Sequence, residues 1–292
     1  MKRQKSFTHT LSRLLLLAGL FLSFNLPAGI IYVDTNGDNY LTSATNFGKI
    51  DTSTGAYTNI TFFSGQALGN LAFNPAAGNF YVTEGLTATL RTLTDTGSLS
   101  SSIGTIGKDI YGMAYRTSDS TLYAYDFDND TTGKINPSTG AWTTLNASPG
   151  TRISSPIGGR LVLLNGSLYG SIYTVGNTGK FGTYGFDALT NFAQIGSNND
   201  LFKNMVLATD GTTLYGLYAD GNPGSQRLYT INPSTGVLTA GASIIGTGLG
   251  TYFHGAAIET SQPPPLPEPP SLVLALTGLS AMWATRRRKP RQ

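Results

Sequence analysis

One short phrase recurs along the middle of this chain, and its spacing constrains the fold more than any other feature. Lys49-Ile50-Asp51-Thr52-Ser53-Thr54-Gly55 returns as Lys134-Ile135-Asn136-Pro137-Ser138-Thr139-Gly140 and as Thr230-Ile231-Asn232-Pro233-Ser234-Thr235-Gly236. Weaker copies are Leu93-Thr94-Asp95-Thr96-Gly97 and Phe186-Asp187-Ala188-Leu189-Thr190-Asn191. With the final Gly or Asn as marker, positions 55, 97, 140, 191 and 236 lie 42, 43, 51 and 45 residues apart. A second phrase precedes each marker: Ile31-Tyr32, Phe80-Tyr81, Leu122-Tyr123, Leu168-Tyr169 and Leu214-Tyr215. A period of this length means one supersecondary unit per repeat, and stacked units share a core that none could build alone.

The chemistry inside each unit is that of β-structure. Tyr, Phe, Ile, Leu and Thr alternate in short runs, separated by Gly, Asn, Asp and Pro. Asn-Pro-Ser-Thr-Gly reads as a turn, because Pro presets φ and Gly accepts a positive φ. No stretch between the two ends sustains a 3.6-residue apolar period, so little helix is expected there. In the third unit, strand a is expected at Tyr111–Tyr115, b at Leu122–Asp126, c at Gly133–Asn136 and d at Ala141–Asn146. The strand-a slot recurs as Asn70-Leu71-Ala72-Phe73 and Met205-Val206-Leu207-Ala208.

Four strands per unit of about 46 residues predict an all-β fold, a β-propeller of four-stranded antiparallel blades. The first unit lacks a strand a, and a spare one, His254-Gly255-Ala256-Ala257-Ile258, follows the last. The expected use is ring closure, with the C-terminal strand completing the N-terminal blade and five blades in all. Closure removes the free edges that would invite aggregation. The repeat region also resembles bacterial secreted propellers with blades of the "-INPSTG-" style. That likeness implies a fold associated with binding, scaffolding or catalysis, and it does not choose among them.

Composition matters most at the two ends. The formal net charge is +3, but the charge is unevenly placed. Lys2, Arg3, Lys5 and Arg13 precede an apolar run from Leu14 to Leu26 and the small-residue exit Pro27-Ala28-Gly29. This is the pattern of a secretory signal peptide over residues 1–28. A repeat domain at 29–261 is followed by a Pro-rich linker at 262–270. Then come fifteen uncharged residues, Ser271 to Thr285, and a basic end with Arg286, Arg287, Arg288, Lys289 and Arg291. An apolar helix followed by cations is a stop-transfer pattern, so a transmembrane helix is expected at 271–285 and a cytoplasmic tail at 286–292. Between the ends, ten Lys and Arg stand against fifteen Asp and Glu, so the working domain carries a net charge of −5.

Pro267-Glu268-Pro269, the short apolar helix and the Arg-rich end together resemble the PEP-CTERM sorting tail of exopolysaccharide-producing Gram-negative bacteria. The resemblance covers roughly the last thirty residues. It implies that Pro267, Glu268 and Pro269 are the recognition tripeptide for an exosortase-type processing enzyme. It also implies that Arg286, Arg287, Arg288 and Lys289 form the retention cluster. The expected route is export, anchoring in the inner membrane, then the cell surface or the extracellular space.

Chemistry is sparse between the ends. Cys is absent, which excludes disulfides and a cysteine nucleophile. The repeat domain has one His, His254, so His₃ and His₂Glu metal sites are excluded. No Gly-x-Ser-x-Gly elbow and no phosphate loop occurs. The ten cations are scattered rather than clustered, which argues against nucleic acid. Oxygen-ligated metals remain. Asp126-Phe127-Asp128-Asn129-Asp130 alternates oxygens like the first half of a Ca²⁺ loop, and Asp34-Thr35-Asn36-Gly37-Asp38 is a second partial match. Asp126, Asp128, Asp130, Asp34 and Asp38 are therefore the candidate metal ligands, with Ca²⁺ the candidate ion. The bland alternative is a polar turn, where Asp and Asn are favoured anyway. Antiparallel parity places b–c and d–a loops on one rim of the ring. Asp34, Asp38, Glu84, Asp126, Asp128, Asp130 and Asp220 are thus expected to make that rim acidic.

The function these features predict is a non-enzymatic, exported propeller that binds or organises extracellular matrix or polysaccharide. The alternatives are a Ca²⁺-dependent propeller hydrolase or lactonase, and a purely structural surface protein.

Overall fold

Where the repeated phrase is complete, its own side chains close the turn. Ser138 N donates to Asn136 Oδ1 at 2.9 Å, Ser234 N to Asn232 Oδ1 at 2.9 Å, and Ser53 N to Asp51 Oδ1 at 2.8 Å. The chain then leaves through Gly55, Gly140 and Gly236 at φ of 74°, 73° and 69°. That left-handed region is easy only for glycine.

The computed structural model describes residues 29–37, 44–85, 88–147, 160–174, 176–186 and 191–259. The strands flanking these turns run in chain order as β1 (Ile30–Asn36), β2 (Thr45–Asp51) and β3 (Tyr57–Phe63). Blade one follows with β4 (Leu68–Asn74), β5 (Asn79–Glu84), β6 (Thr89–Leu93) and β7 (Gly104–Thr105). Blade two is β8 (Ile110–Arg116), β9 (Thr121–Asp126), β10 (Thr131–Ile135) and β11 (Trp142–Asn146). Blade three is β12 (Leu161–Leu164), β13 (Ser167–Tyr173), β14 (Gly179–Tyr184) and β15 (Ala193–Gln194). Blade four is β16 (Met205–Thr209), β17 (Leu214–Tyr218), β18 (Arg227–Ile231) and β19 (Leu238–Ser243). The last strand is β20 (Tyr252–Ile258).

Each blade is a four-stranded antiparallel sheet in simple meander order, and the fifth is β20-β1-β2-β3. Ring closure is therefore as expected. Ile31 pairs with Ile258, Tyr32 with Ala257 and Val33 with Ala256. The strands expected in the third unit fall within two residues of their observed bounds. The only helical pieces among the described residues are two 3₁₀ turns, Thr117–Asp119 and Asp200–Asn204.

The core is five apolar wedges, one between each pair of neighbouring blades. Ile31, Val33 and Phe253 of blade five meet Val206, Leu217 and Leu228 of blade four. On the other face of the same blade, Tyr32, Phe47 and Ala257 meet Leu68, Phe80 and Val82 of blade one. Blades one and two, two and three, and three and four share equivalent wedges. The first two strands of a blade are thus covered on both faces, which is why β1 is buried from Ile31 to Asn36 without alternation.

The b–c and d–a loops do share one rim. Phe127 N donates to Asp109 O at 2.8 Å, Gly85 N to Ala67 O at 2.9 Å, and Asn199 N to Gly179 O at 2.9 Å. The a–b turns lie at the opposite rim. The segments for which a signal peptide (1–28), a sorting tripeptide (Pro267, Glu268, Pro269), a transmembrane helix (271–285) and a basic retention cluster (Arg286, Arg287, Arg288, Lys289) are expected lie outside the described residues. Among those described, no helix is long and apolar enough to cross a membrane.

Candidate functional site

The inner strands β4, β8, β12, β16 and β20 surround the axis. Their C-terminal halves enclose a cavity of about 210 Å³ that opens at the a–b turns. Its lining is mostly apolar and includes Leu71, Met113, Leu161, Val162, Ala208 and Ala256. Among the described residues, no carboxylate lines it. Toward the other rim the strands close in. A Cβ on Gly255 would stand 2.5 Å from Leu71 N, and one on Gly112 would stand 3.0 Å from Leu161 N. Glycine is required at both places because one backbone lies against the next.

At and beyond this neck the residues are polar and buried. They form a layer that ties each blade to the next. Asn70, at φ 59°, donates Nδ2 to Thr83 Oγ1 at 3.0 Å and to Ile110 O, in blade two, at 2.7 Å. Arg160 N donates to Tyr111 O at 3.3 Å, linking blades two and three. Arg160 Nη2 donates to Lys203 O at 2.6 Å, and Ser171 Oγ to Met205 O at 2.7 Å, linking three and four. Gln226 Nε2 donates to Gly250 O at 3.3 Å, and Leu68 N to Thr45 Oγ1 at 2.9 Å. His254 sits fully buried in β20 and shares Nε2 with Asn36 Oδ1 at 2.7 Å. An amide oxygen can only accept, so this contact puts the proton on Nε2.

Two ionisable groups are enclosed in this part of the ring, Arg160 and Asp34. Burial lowers the Arg160 guanidinium to about 10, although the phenols of Tyr184, Tyr111 and Tyr125 beside it favour the cation. Burial pushes the Asp34 carboxyl well above the usual carboxylate range. The amides of Asp34, Gly255 and His254 lie nearest to it, yet neither oxygen receives a hydrogen bond of good geometry. Tyr57, in the same blade, is pushed up to about 12, first by its own burial and also by Asp34.

The expected acidic rim is corrected by these positions. Its members do sit in or beside b–c loops, but they are not displayed together. Asp34 lies inside β1 and Asp126 ends β9, and both are fully buried. Asp126 Oδ2 faces Lys108 Nζ at 3.2 Å and accepts from Asn129 Nδ2 at 2.7 Å. Glu84 pairs with Arg91 at 2.5 Å. Asp130 Oδ1 accepts from Tyr125 Oη at 2.7 Å, and Asp220 Oδ1 accepts from Asn222 N at 3.1 Å. Asp128 is exposed. Asp38 lies outside the described residues. The physical reason is that β1 and β9, the second strands of their blades, are still covered by neighbouring blades at these positions, so both carboxylates are enclosed by the ring. Among the described residues, no group of three or more His, Asp or Glu is gathered to hold a metal ion.

One acidic group that loop position did not suggest is Asp109. It sits in the d–a loop against the Asp126 turn, and its carboxyl is pushed up to about 7, mainly by burial and then by the charges of Asp128 and Asp126. Arg160 is also unmarked by any motif, and Asn70 is marked only as the first residue of a strand-a slot. The only sequence trace of Arg160 is a cation directly before the apolar run Leu161–Leu164.

The ring of five four-stranded blades, closed by β20 on β1, defines the chain as a five-bladed β-propeller. No family model matches it, and no curated protein matches it. Solved structures share the fold. A chain of the nidogen/laminin complex overlays with a TM-score of 0.53 at 14% identity, over 81% of this chain and 100% of that one. A protein of unknown function from Bacteroides thetaiotaomicron overlays at 0.51 and 12% identity, over 80% of this chain and 65% of that one. TolB from Acinetobacter baumannii reaches 0.48 at 14% identity, over 80% of this chain and 57% of that one. At such identities the likeness is one of fold.

Proposed function

We propose that this chain is an exported propeller, held at the cell envelope by its C-terminal tail, that binds or organises extracellular matrix rather than catalysing a reaction. Polysaccharide is the ligand class to test first. The observation that carries the non-catalytic part is the polar layer at the axis. Asn70, Arg160, Ser171 and His254 each hold a backbone or side chain of the ring, mostly across a blade boundary. A hydrolase would need such groups turned to a substrate, and one using axial Ca²⁺ would need carboxylates at the cavity, whose described lining is mostly apolar instead. The fold alone is neutral on this point.

The sorting part is supported by the sequence of the two ends and by where the ring releases them. Ile31 pairs with Ile258, so leader and tail depart side by side. Processing at either end can leave the closure strands intact.

Deleting residues 263–292 should release the protein from the envelope into the medium, with the propeller still folded. Unchanged retention would defeat the sorting claim. Metal analysis of purified 29–261 should find no tightly held Ca²⁺; one ion per chain would favour the hydrolase. Binding of the ring to isolated extracellular polysaccharide, measured by co-sedimentation, tests the ligand class, and self-assembly without it would favour the structural reading.

A further inference from the structure

The tail leaves the ring from its innermost strand. Ala256, Ala257 and Ile258 end β20 and line the mouth of the axial cavity, together with Pro75, Thr117 and Gly211 of three a–b turns. Glu259 follows at once and is held there, its Oε2 accepting from Tyr32 Oη at 3.4 Å. Eleven residues, 260–270, then separate Glu259 from the apolar segment at Ser271, and six of them are proline.

A proline-rich segment advances roughly 3.1 Å per residue, so eleven residues reach roughly 34 Å. To present the opposite rim to a membrane, the tail must first travel outward across the blade and then along its edge. A four-stranded blade has three inter-strand spacings of about 4.8 Å, and a seven-residue strand is about 23 Å long. With side chains on the outer strand, that route takes roughly 40 Å before any of the tail reaches a bilayer. The direct route, straight out from the cavity mouth, takes none of this.

We infer that the propeller stands with its a–b turns and cavity mouth toward the lipid bilayer and its b–c and d–a loops facing away from the membrane. This orientation rests on the tethered reading proposed above. It makes the b–c and d–a face the one that matrix outside the cell meets, and it makes the bilayer surface the neighbour of the axial cavity.

The chain has no cysteine, so single labels can be placed without background. Ala77→Cys and Ser118→Cys mark exposed a–b turns, while Asp128→Cys and Ser197→Cys mark exposed b–c and d–a loops. The full chain, labelled with a donor dye, is reconstituted into phosphatidylcholine vesicles carrying an acceptor-labelled lipid. Energy transfer from positions 77 and 118 should exceed that from 128 and 197 at least twofold. Inserting about thirty Gly and Ser residues after Ser261 should abolish the difference, because a long flexible linker no longer excludes either orientation. Equal transfer from all four positions in vesicle-bound protein would overturn the orientation while leaving the tether intact. Protein that fails to float with the vesicles would remove the tether itself, and the orientation with it.

Discussion

Gly104, in the outer strand of blade one, lies directly against Thr139, in the repeated turn of blade two: a Cβ on Gly104 would stand 2.0 Å from the Thr139 carbonyl oxygen. The same contact recurs around the ring. A Cβ on Gly196 would stand 2.2 Å from Thr235 O, and one on Gly55 would stand 2.2 Å from Ser243 O. The repeated phrase is therefore a fastening between blades. Its hydroxyls and Asx turn shape the loop, and its backbone presses on the outer edge of the preceding blade.

Because that approach is backbone on backbone, it cannot be relieved by a rotamer change. Gly104→Ala is expected to destabilise the domain by about 1–3 kcal/mol, the range for overpacked sites. Urea unfolding should show a lower midpoint with an unchanged slope. Gly78→Ala, at a turn with open space but φ of 62°, should show only the smaller backbone cost.

Asp34 is an ionisable group whose folded-state carboxyl is raised above its ordinary value of 3.8 by burial. Its contribution is thus most favourable below pH 3.8 and is lost as pH rises toward the folded value, because ionising it costs more in the ring than in the unfolded chain. Asp34→Asn removes that cost. It should raise stability at pH 7 by on the order of 1–3 kcal/mol and flatten the fall in stability above pH 4. Unfolding midpoints measured across pH 4 to 8 for both proteins check this.

Asp109 predicts a second dependence at higher pH. Its carboxyl sits at about 7, so stability from this site falls as pH rises from about 4 through 7. Asp128→Asn removes one of the like charges beside it, and the Asp109 value should drop. Carboxyl-carbon chemical shifts followed through a titration should show the drop, and a value unchanged in the variant would mean that burial acts alone.

Arg160 holds Lys203 O across the boundary between blades three and four and is enclosed by tyrosines. Arg160→Ala should cost about 2–5 kcal/mol, since it leaves a cavity and an unmatched buried carbonyl. Arg160→Met keeps the volume without burying a charge, so it should cost markedly less. Thermal unfolding of the two variants side by side separates charge from packing.

The periodicity of Ile50-Asp51-Thr52-Ser53-Thr54-Gly55 and its copies was enough to reach blade number, strand order and closure. The reason is that turn chemistry and apolar runs are local. Asp51 Oδ1 receives Ser53 N within one turn, so a sequence window contains both partners. The candidate site was read less well. Asp34 and Asp126 fall where an apolar run gives way to polar residues, which reads as loop and solvent. Whether such a residue points out or into a wedge depends on the neighbouring blade, which lies elsewhere in the chain.

The sequence by itself thus determined that this chain builds five four-stranded units and closes them with its own last strand. It also supplied the polar, nearly uncharged surface that short strands and tight turns require. Only the tertiary structure decided where the acids went. Packing strands between neighbouring blades enclosed Asp34, Asp126, Arg160 and His254, so two members of the expected acidic rim are buried in the ring, while Arg160 ties one blade to the next. Burial on both faces of a strand is a property of the assembled ring, and no single repeat carries it.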